Sequence, residues 1–513
     1  MTDMKKPLNN TIQLLAVAMV LALACLSLSS CRDAREKEFD NLLVNLAESD
    51  GEIDFNDWAE ITEFIDANKA RLGKFVSDGE IDAEAVKEYI SQFFQHRHPS
   101  QEIAFNGAGN ASEFLAVKFY LERSGSMVPY DSPQGRGEFK SAIVSMLNNL
   151  PGNPDDNTIF VVNDGVFPYP NSFKQFITDQ NIFETTRGIG NPGYTDFGCI
   201  LDSVLNRNGD NDLSILVTDM IYSTKDVGVV NTEKIFTEAQ GMTHAVFKDK
   251  AADKAMVIAQ MEGSYIGQYY PYNQPQGVAY SGVRPYYIVV VGNNENIARL
   301  TRSDRYKDFA DLRSLSGFQH VSLFSASGIY KPFYSFLLAD SDIKGRFKAD
   351  RKRSGEADVK AVTDLKPDRD SGDTQLVVAL DLGGMFVEDS YLMDKNNYRI
   401  EADEPVEIVS IAPIEQSDIT PTNKDIMAKA THRMVLKLGR ITHAQDICIT
   451  LLNKFPQWIE ASSSDDDSAP SAADLDFPHT TFGLKYLLRG IYESYAKQTD
   501  EPFYFKMELG VGN

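Results

Sequence analysis

Leu115-Ala116-Val117-Lys118-Phe119-Tyr120-Leu121-Glu122-Arg123-Ser124-Gly125-Ser126-Met127 decides how this chain reads. An aliphatic and aromatic run ends abruptly in small polar residues. After a polar loop, Gly137 to Leu150 carries Phe139, Ile143, Met146, Leu147 and Leu150 at helical spacing. Strand, polar loop, helix is the opening of a doubly wound α/β domain. Ligands of such sheets bind beyond the carboxyl ends of the strands. Glu122, Ser124 and Ser126 stand at that edge.

Two later segments belong with these residues. Gly193-Tyr194-Thr195-Asp196 precedes an apolar helical pattern from Phe197 to Asn206. Leu213-Ser214-Ile215-Leu216-Val217-Thr218-Asp219 is a buried-strand pattern ending in an acid. Together the three pieces resemble the von Willebrand factor A (vWA) domain and its metal-ion-dependent adhesion site. That family has Asp-x-Ser-x-Ser after the first strand, a Thr in a later loop and an Asp after a central strand. Glu122 departs from the pattern by replacing the first Asp. The resemblance spans roughly residues 112–312 and implies a site of Glu122, Ser124, Ser126, Thr195 and Asp219. It also implies a divalent cation, Mg²⁺ or another, and a protein partner whose acidic group fills an open position. The chemistry agrees, because Mg²⁺ takes oxygen ligands near an octahedron and keeps several waters. The plainer reading is that Ser124, Ser126 and Asp219 only cap turns.

The rest of the α/β domain is read around that edge. Thr158–Val162, Met256–Met261 and Tyr286–Val291 are buried strands, and Glu295–Thr301 begins a closing helix. Strands alternating with helices predict a mainly parallel sheet with right-handed crossovers. Tyr265, Tyr269, Tyr270, Tyr272 and Tyr280 then form an insert between the last two strands, read as a packing pad or an interface. From about residue 315, short strands at Leu376–Asp381, Val406–Ile414, Met434–Leu438 and Ile447–Leu452 predict an antiparallel β-sandwich. Ser462–Asp474, rich in Ser, Asp and Ala, predicts a mobile segment. Thr481–Ala496 is amphipathic, and Phe503–Met507 reads as a returning strand. Cys199 and Cys448 have apolar neighbours and read as buried free thiols.

Residues 1–30 read as a signal peptide. Lys5 and Lys6 precede an apolar core from Ile12 to Leu28. Leu28-Ser29-Ser30-Cys31 resembles the bacterial lipobox, which implies that Cys31 is lipidated and anchors the chain in the cell envelope. Arg32 after Cys31 favours the outer membrane. Residues 31–105 read as helical. Ser-Asp-Gly-Glu-Ile-Asp occurs at Ser49–Asp54 and again at Ser77–Asp82. It resembles the second half of an EF-hand loop, but Leu46, Lys74, Asp57 and Ala85 fall at the first and last ligand positions. The favoured reading is a pair of turns with Asp54 and Asp82 as helix caps. His96 and His98 close the region as a solvated boundary.

With 513 residues, 42% hydrophobic, the chain holds about two to four domains. A formal charge of −24 argues against nucleic acid and against electrostatic binding to anionic lipid. Membrane contact is therefore expected through the lipid alone. The chain carries no Gly-x-Ser-x-Gly elbow, H-E-x-x-H or phosphate-binding Gly-Lys-Ser/Thr, so it reads as a binding or assembly protein rather than an enzyme. Two other readings stand beside that one: a metal-free scaffold on the same fold, and an envelope hydrolase with its site on the C-terminal domain.

Overall fold

The computed structural model describes residues 34–47, 52–53, 55–77, 80–97, 103–105, 115–151, 157–179, 181–209, 211–222, 231–354, 358–499 and 501–512. The signal region with Cys31, residues 49–51 and 54 of the first Asp-Gly repeat, residues 78–79 of the second, and His98 lie outside the described residues. The chain divides into two compact units, residues 1–113 and 114–513.

Among the described residues, the first unit is built on three helices, α1 (Ala34–Ala47), α2 (Phe55–Ala67) and α3 (Ala83–Arg97). Phe39, Leu43, Trp58, Ile61, Ile65, Phe75, Val86, Ile90 and Phe94 form its core. The Asp82 carboxylate accepts a hydrogen bond from the Ala85 amide at 3.1 Å, capping α3. Lys74 pairs with Glu36 at 2.9 Å and lies over the Tyr89 ring.

The second unit centres on a seven-stranded sheet. Its elements in chain order are β1 (Ala116–Glu122), α4 (Glu138–Asn148), β2 (Thr158–Val162), β3 (Val166–Pro168), α5 (Phe197–Asn206) and β4 (Asp212–Thr218). There follow α6 (Thr232–Phe247), β5 (Lys254–Tyr269), β6 (Val278–Asn293), α7 (Asn294–Arg302) and β7 (Phe318–Phe324). The strand order is β7-β5-β6-β4-β1-β2-β3. The expected parallel pairing holds where β1 lies between β2 and β4. Elsewhere the sheet is antiparallel, which corrects the mainly parallel expectation. The largest departure is the β5–β6 hairpin, paired residue for residue from Lys254–Asn293 to Tyr269–Val278. Tyr265, Tyr269 and Tyr280 are therefore strand residues buried in the core, not members of an inserted loop.

Alternation along the strands covers both faces of this sheet. Val117, Phe119 and Leu121 face one core with Phe139, Ile143 and Met146 of α4. Tyr120, Leu216, Tyr287 and Val289 face the other with Ile200, Leu201 and Val204 of α5. Cys199 lies on the outer side of α5 and is exposed, because the buried stripe of that helix runs 197, 200, 201, 204; the expected buried thiol is not found there. Cys448 is partly buried, and both thiols are free.

Beyond β7 come β8 (Tyr334–Phe336), β9 (Arg346–Ala349), β10 (Ala361–Lys366), β11 (Thr374–Leu380), β12 (Tyr398–Glu401), β13 (Val406–Pro413), β14 (His432–Leu438) and β15 (Gln445–Leu452). The chain ends with α8 (Leu484–Ala496) and β16 (Phe503–Val511). Two sheets result, β8-β11-β14-β13 and β9-β10-β16-β15-β12. All their pairings are antiparallel except β10 with β16. Leu376, Val378 and Leu436 of the first sheet share a core with Ile447, Ile449 and Met507 of the second.

Two segments do not stay with those sheets. β7, beyond the expected boundary at 312–315, is an edge strand of the central sheet. Residues 457–496 return to that sheet: Leu484, Leu487, Leu488, Ile491 and Tyr495 of α8 pack in its second core. The expected mobility of Ser462–Asp474 is also corrected. Asp467 is buried, accepting from the Tyr269 hydroxyl at 2.6 Å and from the Tyr272 amide at 3.1 Å. A composition too polar to form its own core is held by polar bonds to the β5–β6 hairpin.

Candidate functional site

The strand order reverses between β1 and β4, and such switch points leave a crevice at the strands' carboxyl ends. Five predicted residues gather here from three segments. Glu122 ends β1, Ser124 and Ser126 follow it, Thr195 precedes α5, and Asp219 follows β4.

Local chemistry brings the Thr195 segment in. Asn163, buried after β2, donates from its side-chain nitrogen to the Ile189 carbonyl at 2.9 Å, and its own carbonyl accepts from the Asp196 amide at 2.8 Å. Gly190 has φ +62°, and a Cβ there would lie 2.1 Å from the Asn163 side-chain oxygen, so only glycine fits. The Gly125 amide donates to the Pro192 carbonyl at 3.1 Å. Asp196 caps α5 by accepting from the Cys199 amide.

Glu122 is 2% exposed, and both its carboxyl oxygens accept from hydroxyls. Thr195 donates to one at 2.8 Å, and Thr218 donates to the other. Thr218 was not singled out by the sequence; its signal was a hydroxyl closing the buried strand β4, next to Asp219. Ser124 and Ser126 have their hydroxyl oxygens 3.0 Å apart. Asp219 is likewise 2% exposed. One of its oxygens accepts from the Ile221 amide at 3.0 Å, while its Oδ2 is buried with no donor placed on it among the described residues. Met220 sits at φ +57°, a left-handed conformation that costs a non-glycine residue on the order of 1 kcal/mol or more. Its amide bonds back to the Thr218 hydroxyl at 3.0 Å. This turn holds the Asp219 carboxyl at the end of β4.

Burial raises the pKa of Glu122 to about 8, with the nearby Asp219 charge adding to it and the Thr218, Thr195 and Ser124 hydroxyls opposing it. Asp219 is also raised by burial, against the Ser126 hydroxyl, the Ile221 amide and Arg284. Arg284 was missed by the sequence reading. It is 2% exposed, donates to the Phe477 carbonyl, and lies over the rings of Phe477 at 4.1 Å and Tyr269 at 4.8 Å. Its signal was a single cation between Val283 and Pro285 in an apolar run. At the rim, Tyr270 is 39% exposed and rests on Gly125, where a Cβ would lie 3.1 Å from its ring.

Among the described residues no three His, Cys, Asp or Glu side chains converge on one point. The candidate set is instead hydroxyls with two carboxyls. Also among the described residues, no helix is long and apolar enough to cross a membrane. No family model matches this chain, and no curated protein or solved structure is significantly similar to it.

Proposed function

We propose that this chain is a cell-envelope lipoprotein whose second unit carries a vWA-like module, over roughly residues 112–312, that binds a protein partner through the Ser124–Asp219 edge. A divalent cation, Mg²⁺ or another hard ion, completes that site in the proposal. The observation that carries it is the Asp219 oxygen left buried without a donor, beside two serine hydroxyls and a second buried acid.

The residues present fit such an ion. Two desolvated acids, both with raised pKa and Glu122 raised further by the Asp219 charge, favour a positive charge between or beside them. Thr195 gives its proton to Glu122, which leaves the lone pairs of its oxygen for a cation. Glu122 then orients ligands instead of binding directly, and the extra methylene over aspartate lets it reach both Thr195 and Thr218. Ser124, Ser126 and Thr195 would hold the ion with Asp219, directly or through water. The bound ion would supply an open coordination position for an acidic group of the partner. Tyr270 at the rim adds an aromatic contact of the kind enriched in interfaces.

Co-purification from detergent-solubilised membranes, with and without EDTA, tests this reading. A partner should be retained in Mg²⁺, released by EDTA, and absent from an Asp219→Ala chain. Retention that EDTA does not disturb would replace the proposal by the metal-free scaffold. Turnover of an envelope substrate surviving Asp219→Ala would favour a hydrolase on the C-terminal sheets.

A further inference from the structure

A second surface of this unit, independent of the Ser124–Asp219 edge, lies between α6 and α8. The two helices cross closely because Gly490 has no side chain: a Cβ there would meet the Gln240 carbonyl and the Thr243 hydroxyl at 2.2 Å. Beside this crossing runs an open groove of about 640 Å³. Glu233, Phe236, Gln240 and Gly241 of α6 line it, with Tyr486 and Glu493 of α8. Glu233, Phe236 and Gln240 recur every three or four positions, with Gly241 next to the last, so they form one stripe along the helix.

Gly241 is the informative residue. Glycine inside a helix is destabilising relative to alanine. Gly490 has a reason in the fold, since a helix backbone passes over it. Around Gly241 a Cβ would meet nothing within 4 Å. No contact within the described chain calls for a glycine there. The same feature that lets α8 approach α6 is therefore repeated on the groove floor, with no approaching element among the described residues.

The charge of the groove selects its occupant. Its acidic walls are Glu233 and Glu493, and Gln240 fixes the latter by donating to its side-chain oxygen at 3.0 Å. The neighbouring cations are engaged by the protein itself. Lys485 pairs with Asp465 at 3.0 Å, Lys234 with Glu238 at 3.6 Å, and Lys497 donates to His244 Nε2 at 3.1 Å. His244 Nδ1 is bonded to Ser494 at 2.8 Å. Phe236 and Tyr486 stack at 4.2 Å and close the groove beside Glu233 with an aromatic wall. The whole chain carries −24, which steers cationic partners toward it.

We infer that this groove is a docking site for a basic amphipathic helix of a partner protein, seated over Gly241 with lysine or arginine side chains on Glu233 and Glu493. Laying a helix into a groove is an established mode of recognition, and a glycine on the groove floor permits close backbone approach.

The test uses the full chain in detergent and a fluorescein-labelled amphipathic helical peptide bearing lysines beside its apolar stripe. Its companion carries glutamate in place of each lysine. Anisotropy should show saturable, salt-sensitive binding of the lysine peptide only. Glu233→Gln with Glu493→Gln should weaken it roughly tenfold and reduce its salt dependence. Gly241→Leu is the sharper variant. It fills open space with a better helix former, so its Tm should rise or hold while peptide affinity falls at least about tenfold. Equal binding of the glutamate peptide, undiminished binding to Gly241→Leu, or no binding of the lysine peptide to the unaltered chain would each overturn the inference. Free lysine amide competing as well as the peptide would also overturn it, by reducing the site to a small-cation pocket.

Discussion

Glu122 and Asp219 are costly residues, and their cost has a pH signature. The folded protein holds a proton on Glu122 up to about pH 8, whereas the ordinary glutamate value is 4.5. Between those values the native state binds more protons than the unfolded chain, so stability falls as pH rises through that window. The raised pKa of Asp219 acts with the same sign. In EDTA, urea midpoints should drop between pH 5 and 8 by the equivalent of a few kcal/mol. Glu122→Gln cannot ionise, so it should remove most of that slope and be the more stable protein at pH 8. It should also lose its response to Mg²⁺, because one oxygen becomes an NH₂ that no longer accepts the Thr195 or Thr218 proton. An unchanged slope in Glu122→Gln would assign the pH dependence elsewhere. At this scale the sequence was informative wherever a polar residue marked a strand end, as with Glu122, Ser124, Thr195 and Asp219. It was silent on Thr218, whose hydroxyl closes β4 beside Asp219, and on Arg284, which lies within β6; both act through partners brought in by the fold.

The elements show why the sheet was only half legible. Apolar runs such as Tyr286–Val291 look alike in parallel and antiparallel pairings, since both faces of this sheet are covered. The expected strands at 256–261 and 286–291 left an interval long enough for a crossover. The actual strands consume that interval, and residues 270–277 are too few for a parallel connection, which needs about a dozen or more. The tyrosines that suggested a loop are large, half-polar residues whose hydroxyls find partners on carbonyls and acids, as Tyr265 does on the Gln268 carbonyl. The Ser462–Asp474 segment was misread for a related reason: its order comes from bonds to the hairpin, and no local pattern records them. Asp467→Ala should therefore cost about 1–3 kcal/mol by leaving the Tyr269 hydroxyl without its acceptor. It should also open residues 465–479 to limited proteolysis. A variant with the parent's Tm and protease pattern would show that the segment is held by its apolar contacts, such as Phe477 against Tyr269 and Tyr280.

For the whole molecule, the order of domains along the chain is not the order of packing. A fragment of residues 112–312, the extent suggested by the sequence resemblance, lacks β7 and α8. Five buried side chains of α8 face the central sheet's second core, and each is worth about 1.5–3 kcal/mol. Together they rival the roughly 5–15 kcal/mol that keeps a domain folded. That fragment should be insoluble or lack a cooperative melt, whereas residues 114–513 should melt as one transition; a well-folded 112–312 would contradict the packing described here. The envelope part of the account has its own check at Cys31. Mass spectrometry of the mature N-terminus should find an acylated cysteine, and a chain beginning at Met1 would remove the lipoprotein assignment. The central claim is that a divalent ion completes the Ser124–Asp219 edge, and calorimetric titration of Mn²⁺ into the chain lacking residues 1–31 tests it most directly. One equivalent should bind to the unaltered protein, more tightly at pH 8 than at pH 6 because the acids must give up protons. Asp219→Ala should abolish that binding while its circular dichroism stays unchanged. No heat from the unaltered protein, or the same isotherm from Asp219→Ala, would contradict the account.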